Sequence, residues 1–327
     1  MAVFESVADA IGNTPVVKMK RFGAQHNHNL WAKLEYLNPG GSVKDRIAKN
    51  MIEQAERNGK LKPGGTIIEA TAGNTGIGLA MLAAMRGYKL ITIVSQKVSH
   101  DKVKLLKTLG AEIVITPTGK KMGDPDHFLS IARRLTEEHD GWFVDQFYNP
   151  DNAQVHYDVT GPEIWEQTEG EVDVIVAGAG TGGTLSGAGR FLKEKKPSVK
   201  VILADPVGSI LADLYDDGRT TPGQYIVEGI GQDFLPGNFH KDVIDFAIRV
   251  TDEQSVQAAY DLMKLEGLFG GSSSGCIAAA AAACCRGLEG TGKNVLAILP
   301  DGGRGYMSTI YDDSWIKEKF PNKTFER

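Results

Sequence analysis

Cysteine is nearly absent from this chain of 327 residues, and none occurs before Cys276. The other two, Cys284 and Cys285, are adjacent, so neither a disulfide framework nor a metal-ligand spacing can be built, and no metal is expected. All three lie in or beside an alanine-rich stretch and read as small buried residues in a reducing compartment, taken here as the cytoplasm. An excess of basic residues is also missing. Lys and Arg number 36 against 41 Asp and Glu, a net charge of −5, which has the wrong sign for a nucleic-acid partner. No apolar run approaches the ~18 residues of a membrane span, so no membrane partner is expected. The first ten residues lack the basic flank and apolar core of a signal peptide. Low-complexity linkers are missing too.

Glycine is what the chain has in quantity, 39 residues against 42% hydrophobic and 24% charged. A chain of this length forms one or two domains with a sizeable core. Short apolar or β-branched runs at 16–19, 30–37, 66–70, 88–94, 113–116, 172–177, 199–204 and 294–299 predict strands. Helical patterns fall between them, at 77–86, 100–109, 128–139, 156–168, 185–195, 251–265 and 277–286. This alternation predicts an α/β fold with a parallel sheet covered on both faces. The Asn149-Pro150 turn predicts a division into 1–147 and 148–327. Residues 117–126 predict a loop, and 211–236 an irregular surface excursion.

The stretch Asn38-Pro39-Gly40-Gly41-Ser42-Val43-Lys44-Asp45-Arg46 joins a strand to an amphipathic helix that carries Ile47, Met51, Ile52 and Ala55 at helical spacing. Ser42 is a candidate cap, which places Lys44 in the first helical turn. A cation there opposes the helix dipole. Lys44 is therefore either a solvated surface lysine or one that forms a Schiff base with a carbonyl cofactor.

Two further glycine-rich segments each follow a strand and open a helix, where open α/β sheets bind ligands, and a third precedes the alanine-rich helix. They are Thr71-Ala72-Gly73-Asn74-Thr75-Gly76, Gly178-Ala179-Gly180-Thr181-Gly182-Gly183-Thr184 and Gly270 to Gly275. The second matches the dinucleotide pattern G-x-G-x-x-G, and Asp205 ends the next strand where a ribose-binding carboxylate would sit. A nicotinamide dehydrogenase is thus one reading. Against it, Asp205 runs at once into Pro206, and Thr181 and Thr184 suit a single phosphate monoester. A glycine turn needed only for packing is a third reading.

Together these segments resemble, in order, the cofactor-lysine, substrate, phosphate and pyridine-nitrogen loops of the fold-type II pyridoxal-phosphate enzymes. The resemblance runs from about Ile11 to about Phe320. Within that family the chain is most similar to the cystathionine β-synthase and cysteine synthase branch. The marks are Val227 to Pro236, Ala204-Asp205-Pro206-Val207-Gly208-Ser209, and Pro300-Asp301-Gly302-Gly303-Arg304-Gly305-Tyr306-Met307. The resemblance implies two open, twisted, mostly parallel sheets flanked by helices, like tryptophan synthase β, with the early strands crossing into the second domain. It implies pyridoxal 5'-phosphate as cofactor and a homodimer. The activity implied is β-replacement on serine or O-acetylserine by a thiol, through an aminoacrylate, in sulfur amino-acid biosynthesis. The expected acceptor is homocysteine, giving cystathionine; the alternative is sulfide, giving cysteine. A non-catalytic amino-acid-binding protein is a remote alternative.

By the same resemblance, Lys44 would hold the cofactor and then act as the base. Asn74 would bond the ring oxygen, and Gly180, Thr181, Gly182, Gly183 and Thr184 would cradle the phosphate. Ser273 would meet the pyridine nitrogen, with Ser272 possible by a shift of one. A neutral hydroxyl there makes the ring a weaker electron sink, which favours prompt loss of the β-substituent over transamination. Thr71, Gly73, Thr75 and Gln146 would bind the substrate carboxylate, with Gly229 among the substrate contacts. On the residues alone Gln146 reads as a solvated loop glutamine. Ala72 departs from the family's usual serine, and Gln232 from a tyrosine at the rim, where its amide could meet a charged head group. With no cysteine before Cys276 and a short segment after Trp315, neither haem nor activation by S-adenosylmethionine is expected.

Overall fold

The structure is a computed structural model and describes residues 3–71, 73–96, 100–117, 123–216, 218 and 220–326. Its strands are β1 (Val16–Met19), β2 (Asn29–Leu34), β3 (Thr66–Glu69), β4 (Lys89–Ser95), β5 (Glu112–Thr116), β6 (Trp142–Phe143), β7 (Val174–Gly178), β8 (Lys200–Pro206), β9 (Phe246–Val250) and β10 (Asn294–Leu299). The helices are α1 (Lys44–Arg57), α2 (Asn74–Arg86), α3 (His100–Thr108), α4 (Phe128–Glu138), α5 (Asp151–Val155), α6 (Gly161–Gln167), α7 (Gly183–Lys195), α8 (Leu211–Asp216), α9 (Asp252–Asp261), α10 (Ser272–Gly287) and α11 (Asp313–Lys319). They divide between two compact units, one formed by Met1–Ile11 with Asn38–Asn152, the other by Gly12–Leu37 with Ala153–Arg327. Among the described residues no helix is long and apolar enough to cross a membrane.

The larger unit holds a six-stranded sheet in the order β1-β2-β10-β7-β8-β9. Only β1 and β2 pair antiparallel; every other pair is parallel. The central strands are apolar at successive residues because both faces are covered. Val174, Val176, Ile202, Ala204, Val295, Ala297 and Leu299 point into one core, with the small residues of α10. Their neighbours Ile175, Ala177, Val201, Leu203, Leu296 and Ile298 point into the other, with Leu185, Ala188 and Leu192 of α7. The first turn of this unit is held by a buried charge. Lys33 Nζ donates to Glu163 Oε2 at 2.9 Å, to Thr14 O at 2.7 Å and to Gln167 Oε1 at 2.9 Å.

The smaller unit holds a parallel four-stranded sheet, β5-β4-β3-β6. Ile68, Ile91 and Ile93 pack with Ile131 and Ala132 of α4 on one side. Helix α1 buries Ile47, Ala48, Met51, Ile52 and Ala55, the stripe expected from its spacing. A Cβ on Gly78 of α2 would lie 3.1 Å from that of Ala48, so the two helices pack at close range.

The α/β class and the two mostly parallel sheets agree with the sequence reading; several details do not. The strand expected over 30–37 ends at Leu34 and tightens into a 3-10 turn, Glu35–Leu37. Strand β6 is only two residues long. The helix expected over 156–168 is interrupted by a π-helical turn, His156–Thr160. Residues 211–236 open with a helix, α8, because Asp205 Oδ2 accepts the Ala212 N–H at 2.8 Å and caps its first turn from a different strand. Strand β9 was not anticipated; it is an edge strand, with Phe246 exposed and Val250 buried. The loop at 117–126 lies partly outside the described residues, as does Ala72.

Candidate active site

In the smaller unit the turn before α1 is closed by its own side chains. Gly41 N–H donates to Asn38 O at 2.8 Å, and Asn38 Nδ2 to Ser42 O at 3.1 Å. Asp45 turns back to accept the Gly40 N–H at 2.5 Å. Ser42 does accept from the helix start, but from Lys44 N–H at 3.1 Å, and Val43 rather than Ser42 occupies the cap position. Lys44 is the first residue of α1 and is half-buried.

Strand β3 ends at Glu69, and α2 begins at Asn74, three residues earlier than the periodic pattern indicated. Its first bond along the helix is Ile77 N–H to Gly73 O at 3.3 Å, so the amides before Ile77 are not used by the helix. Thr71 Oγ1 accepts the Gly73 N–H at 3.2 Å. Thr75 Oγ1 donates to Gln146 Oε1 at 2.7 Å, and Asn152 Nδ2 donates to Gln146 O at 2.7 Å. Gln146 is 5% exposed, so the loop-glutamine alternative is corrected: it is buried and directed. Beneath it lies a pair of acids not foreseen from the sequence. Burial, then the charge of Asp145, pushes the fully buried Glu69 carboxyl up to about 8, against bonds from Gln146 and the Asp145 and Gln146 backbone. Burial also raises Asp145. The only available signal was the position of Glu69, directly before the Thr71 loop.

In the larger unit the 180–184 loop joins β7 to α7. Gly182 caps α7 with φ +88°, and a Cβ there would lie 2.6 Å from Phe239 Cα. A Cβ on Gly180 would lie 2.2 Å from Gly229 O. Only bare backbone fits, and the first bond along α7 is Ser186 N–H to Gly182 O at 3.0 Å. The amides of Gly183, Thr184 and Leu185 are thus not used by this 13-residue helix, an arrangement that suits a phosphate. Gly229 stands behind the loop and props it. Gln232 packs there too: one N–H of its Nε2 donates to Gly180 O at 3.0 Å and ties the amide to the loop. Two residues absent from the sequence reading lie behind Thr184: its Oγ1 is 3.1 Å from His156 Nε2, and His156 Nδ1 is 2.9 Å from Thr160 Oγ1.

The serines expected in a loop form the first turn of α10, after Gly271. Ser272 Oγ accepts the Glu228 N–H at 3.0 Å, and Ser274 Oγ donates to Asp301 O at 2.9 Å. Ser273 Oγ lies 3.4 Å from Asp301 Oδ1, whose Oδ2 accepts the Tyr306 phenol at 2.7 Å. Burial, with the charge of Asp301 next, holds the Tyr306 phenol well above its ordinary value. Asp301 follows β10, and the Pro300-Asp301-Gly302-Gly303 turn was the available signal. Further along α10, burial pushes Cys276 up to about 12 and Cys284 up to about 11, so neither is a nucleophile. Asp205 is fully buried and engaged with Ala212, not presented to a ribose, which counts against the dehydrogenase reading.

Comparisons with known proteins agree with this chemistry. The family model described as "Pyridoxal-phosphate dependent enzyme" matches residues 7–301. Cystathionine beta-synthase of Apis mellifera is 46% identical over 320 residues, 97% of this chain and 63% of that protein. The chain therefore spans about three-fifths of the length of that curated relative. Among solved structures, O-ureido-L-serine synthase superposes with a TM-score of 0.88 at 34% identity, covering 99% of this chain and 98% of that one. A hydrogen sulfide-producing enzyme from Fusobacterium nucleatum gives 0.85 at 33% identity, covering 93% and 98%. A family match over nearly the whole chain, on a fold whose glycine loop leaves helix-head amides for a phosphate, shows that this chain belongs to the pyridoxal-phosphate dependent enzyme family.

Proposed function

We propose that the chain catalyses β-replacement on L-serine or O-acetyl-L-serine, condensing it with homocysteine to cystathionine. The observation that carries this is the 46% identity, over 320 residues, to a cystathionine beta-synthase. Pyridoxal phosphate, when bound, supplies the electron sink that acidifies the substrate's α-carbon. Gly180, Thr181, Gly182, Gly183 and Thr184 hold the phosphate group through N–H and hydroxyl donors. Ser273 would stand toward the pyridine nitrogen and Asn74 toward the ring oxygen of the bound cofactor. Thr71, Gly73, Thr75 and Gln146 bind and orient the substrate carboxylate. Lys44 Nζ takes the α-proton and, as an ammonium, donates a proton to the departing oxygen, which serine needs more than its acetyl ester does. The proposal includes a homodimer in the cytoplasm; the buried free thiols Cys276, Cys284 and Cys285 support a reducing compartment.

One observation favours a second reading. With Gln232 Nε2 held by Gly180 O, the rim has one fewer donor for the head group of a long thiol. O-acetylserine with sulfide, giving cysteine, would not need that donor. A competition assay that offers both donors and both thiols decides. Cystathionine is the expected product, with some cysteine. Cysteine formed readily from O-acetylserine and sulfide, with cystathionine undetectable, would make the second reading correct. Lys44→Ala with near-normal turnover would sink both.

A further inference from the structure

We propose that His156 is a positioning residue that aims the Thr184 hydroxyl of the phosphate loop, by donating from Nε2–H to Thr184 Oγ1. This rests on reading the 180–184 loop as the phosphate site.

A phosphate dianion only accepts hydrogen bonds, and a threonine hydroxyl has a single hydrogen to give. Thr184 Oγ1 lies 3.1 Å from His156 Nε2, so one of the two atoms must donate to the other. If Thr184 donates to the imidazole, it turns lone pairs alone toward the phosphate, which repel it. If Nε2 carries the proton, Thr184 accepts there and keeps its hydrogen for the ligand. The other ring nitrogen permits this. His156 Nδ1 lies 2.9 Å from Thr160 Oγ1, a hydroxyl that can donate as well as accept. The chain then runs in one direction: Thr160 O–H to Nδ1, Nε2–H to Thr184 Oγ1, and Thr184 O–H to the phosphate.

The surrounding backbone fixes this geometry. His156 is 1% exposed and Thr160 fully buried, so water does not compete for either ring nitrogen. Both sit on the π-helical turn that interrupts the chain after α5. That turn lies directly against the face of α7 that carries Thr184. A Cβ on Gly187, one turn after Thr184, would be 2.1 Å from Ala153 O and 2.8 Å from His156 Cβ. A Cβ on Gly161 would be 2.8 Å from Phe191 Cβ, one further turn along. The two glycines let the segments approach until the imidazole reaches the loop hydroxyl. π-Helical turns are uncommon and concentrate at functional sites.

The direct test is long-range 15N NMR of the histidine-labelled holoenzyme. The seven histidines are resolved by the loss of one signal in His156→Gln. A protonated Nε2 on His156 is expected; an unprotonated Nε2 overturns the proposal, with no variant required to fold. The second test is cofactor affinity, from absorbance titration of the stripped protein with pyridoxal phosphate. Thr184→Ala and His156→Leu should each weaken binding roughly tenfold or more, the loss of one charge-assisted hydrogen bond. The double variant should be no weaker than Thr184→Ala, because both changes remove the same bond. His156→Gln, which keeps an N–H near Nε2, should recover most of the affinity. A weakened Thr184→Ala beside an unaffected His156→Leu defeats the role of His156 alone. An unaffected Thr184→Ala defeats the reading of the loop itself, and this proposal with it.

Discussion

Thr75 Oγ1 donates to Gln146 Oε1 across 2.7 Å, joining a helix start to a loop 71 residues further along the chain. Thr75 stands in the first turn of α2, and Gln146 follows β6, next to β3 in the same sheet. With its oxygen taken by Thr75, its side chain also bonded to Glu69 and its carbonyl bound by Asn152, Gln146 keeps a single amide orientation. In the proposed function this amide binds an anionic group of the substrate, and the bonds around it hold it in one orientation beforehand.

Removing that amide should therefore act on substrate binding. Gln146→Ala is expected to raise KM for the amino-acid donor roughly tenfold, the loss of about one charge-assisted hydrogen bond. Cofactor content, read from the visible absorbance, should be unchanged. Steady-state kinetics with serine and with O-acetylserine test this; an unchanged KM for both would remove Gln146 from the substrate contacts.

Glu69 makes stability depend on pH. Its carboxyl is held up to about 8 in the fold, against an ordinary 4.5, by burial first and by Asp145 second. Between those values the unfolded chain binds fewer protons than the folded one, so stability falls as pH rises. The full contribution is present below the ordinary value and is lost as pH climbs through about 8. Glu69→Gln keeps the shape without the titration. It should match the parent near pH ~5 and gain on it toward ~8, by at most about 1.4 kcal/mol per pH unit. Urea unfolding at several pH values measures the difference, and parallel curves would show that Glu69 is ionised when folded.

Gly182→Ala should lose the phosphate loop. Its φ of +88° disfavours any side chain, and the new Cβ would meet Phe239 Cα at 2.6 Å. Gly59, at φ +68° with open space around it, is the control for the backbone cost alone. Gly59→Ala should cost about 1–2 kcal/mol; Gly182→Ala should cost clearly more and also release cofactor. Equal melting temperatures for the two variants would contradict this.

Ser273→Asp places a second carboxylate beside Asp301, whose Oδ1 is 3.4 Å from Ser273 Oγ. Two buried like charges cannot both ionise freely, so the pair should retain a proton and the fold should lose stability as pH rises. The replacement rate should also fall. Adding Asp301→Asn removes the repulsion and should restore most of the melting temperature. If the double variant is no more stable than Ser273→Asp, the cost lies elsewhere.

The class of fold and the loops were legible in the sequence because their determinants are local. Continuous apolar runs such as Val174 to Ala177 announced strands buried on both faces. Gly180 and Gly182 marked a turn where only bare backbone fits, and Lys44 sat where a cation needs a reason. The short elements were less legible. Helix α8 is capped by Asp205 from strand β8, and β9 is an edge strand whose partner precedes it by some forty residues. Neither fact can be read from a window of neighbours.

Residue types and their order along the chain were enough to determine the α/β class, the family and the candidate cofactor residues. Tertiary structure alone decided what stands behind those residues. His156 was one polar position in a helical pattern until the π turn and Gly187 brought its ring to Thr184. Asp301 reached Ser273 only when helix α10 packed against β10, and Glu69 met Asp145 only when β3 and β6 paired. The physical reason is range. A turn or a helix start is set by residues a few positions apart, whereas a hydrogen bond or a buried charge acts over about 3 to 4 Å of space. Sheet pairing, not sequence spacing, determines which distant residues come that close.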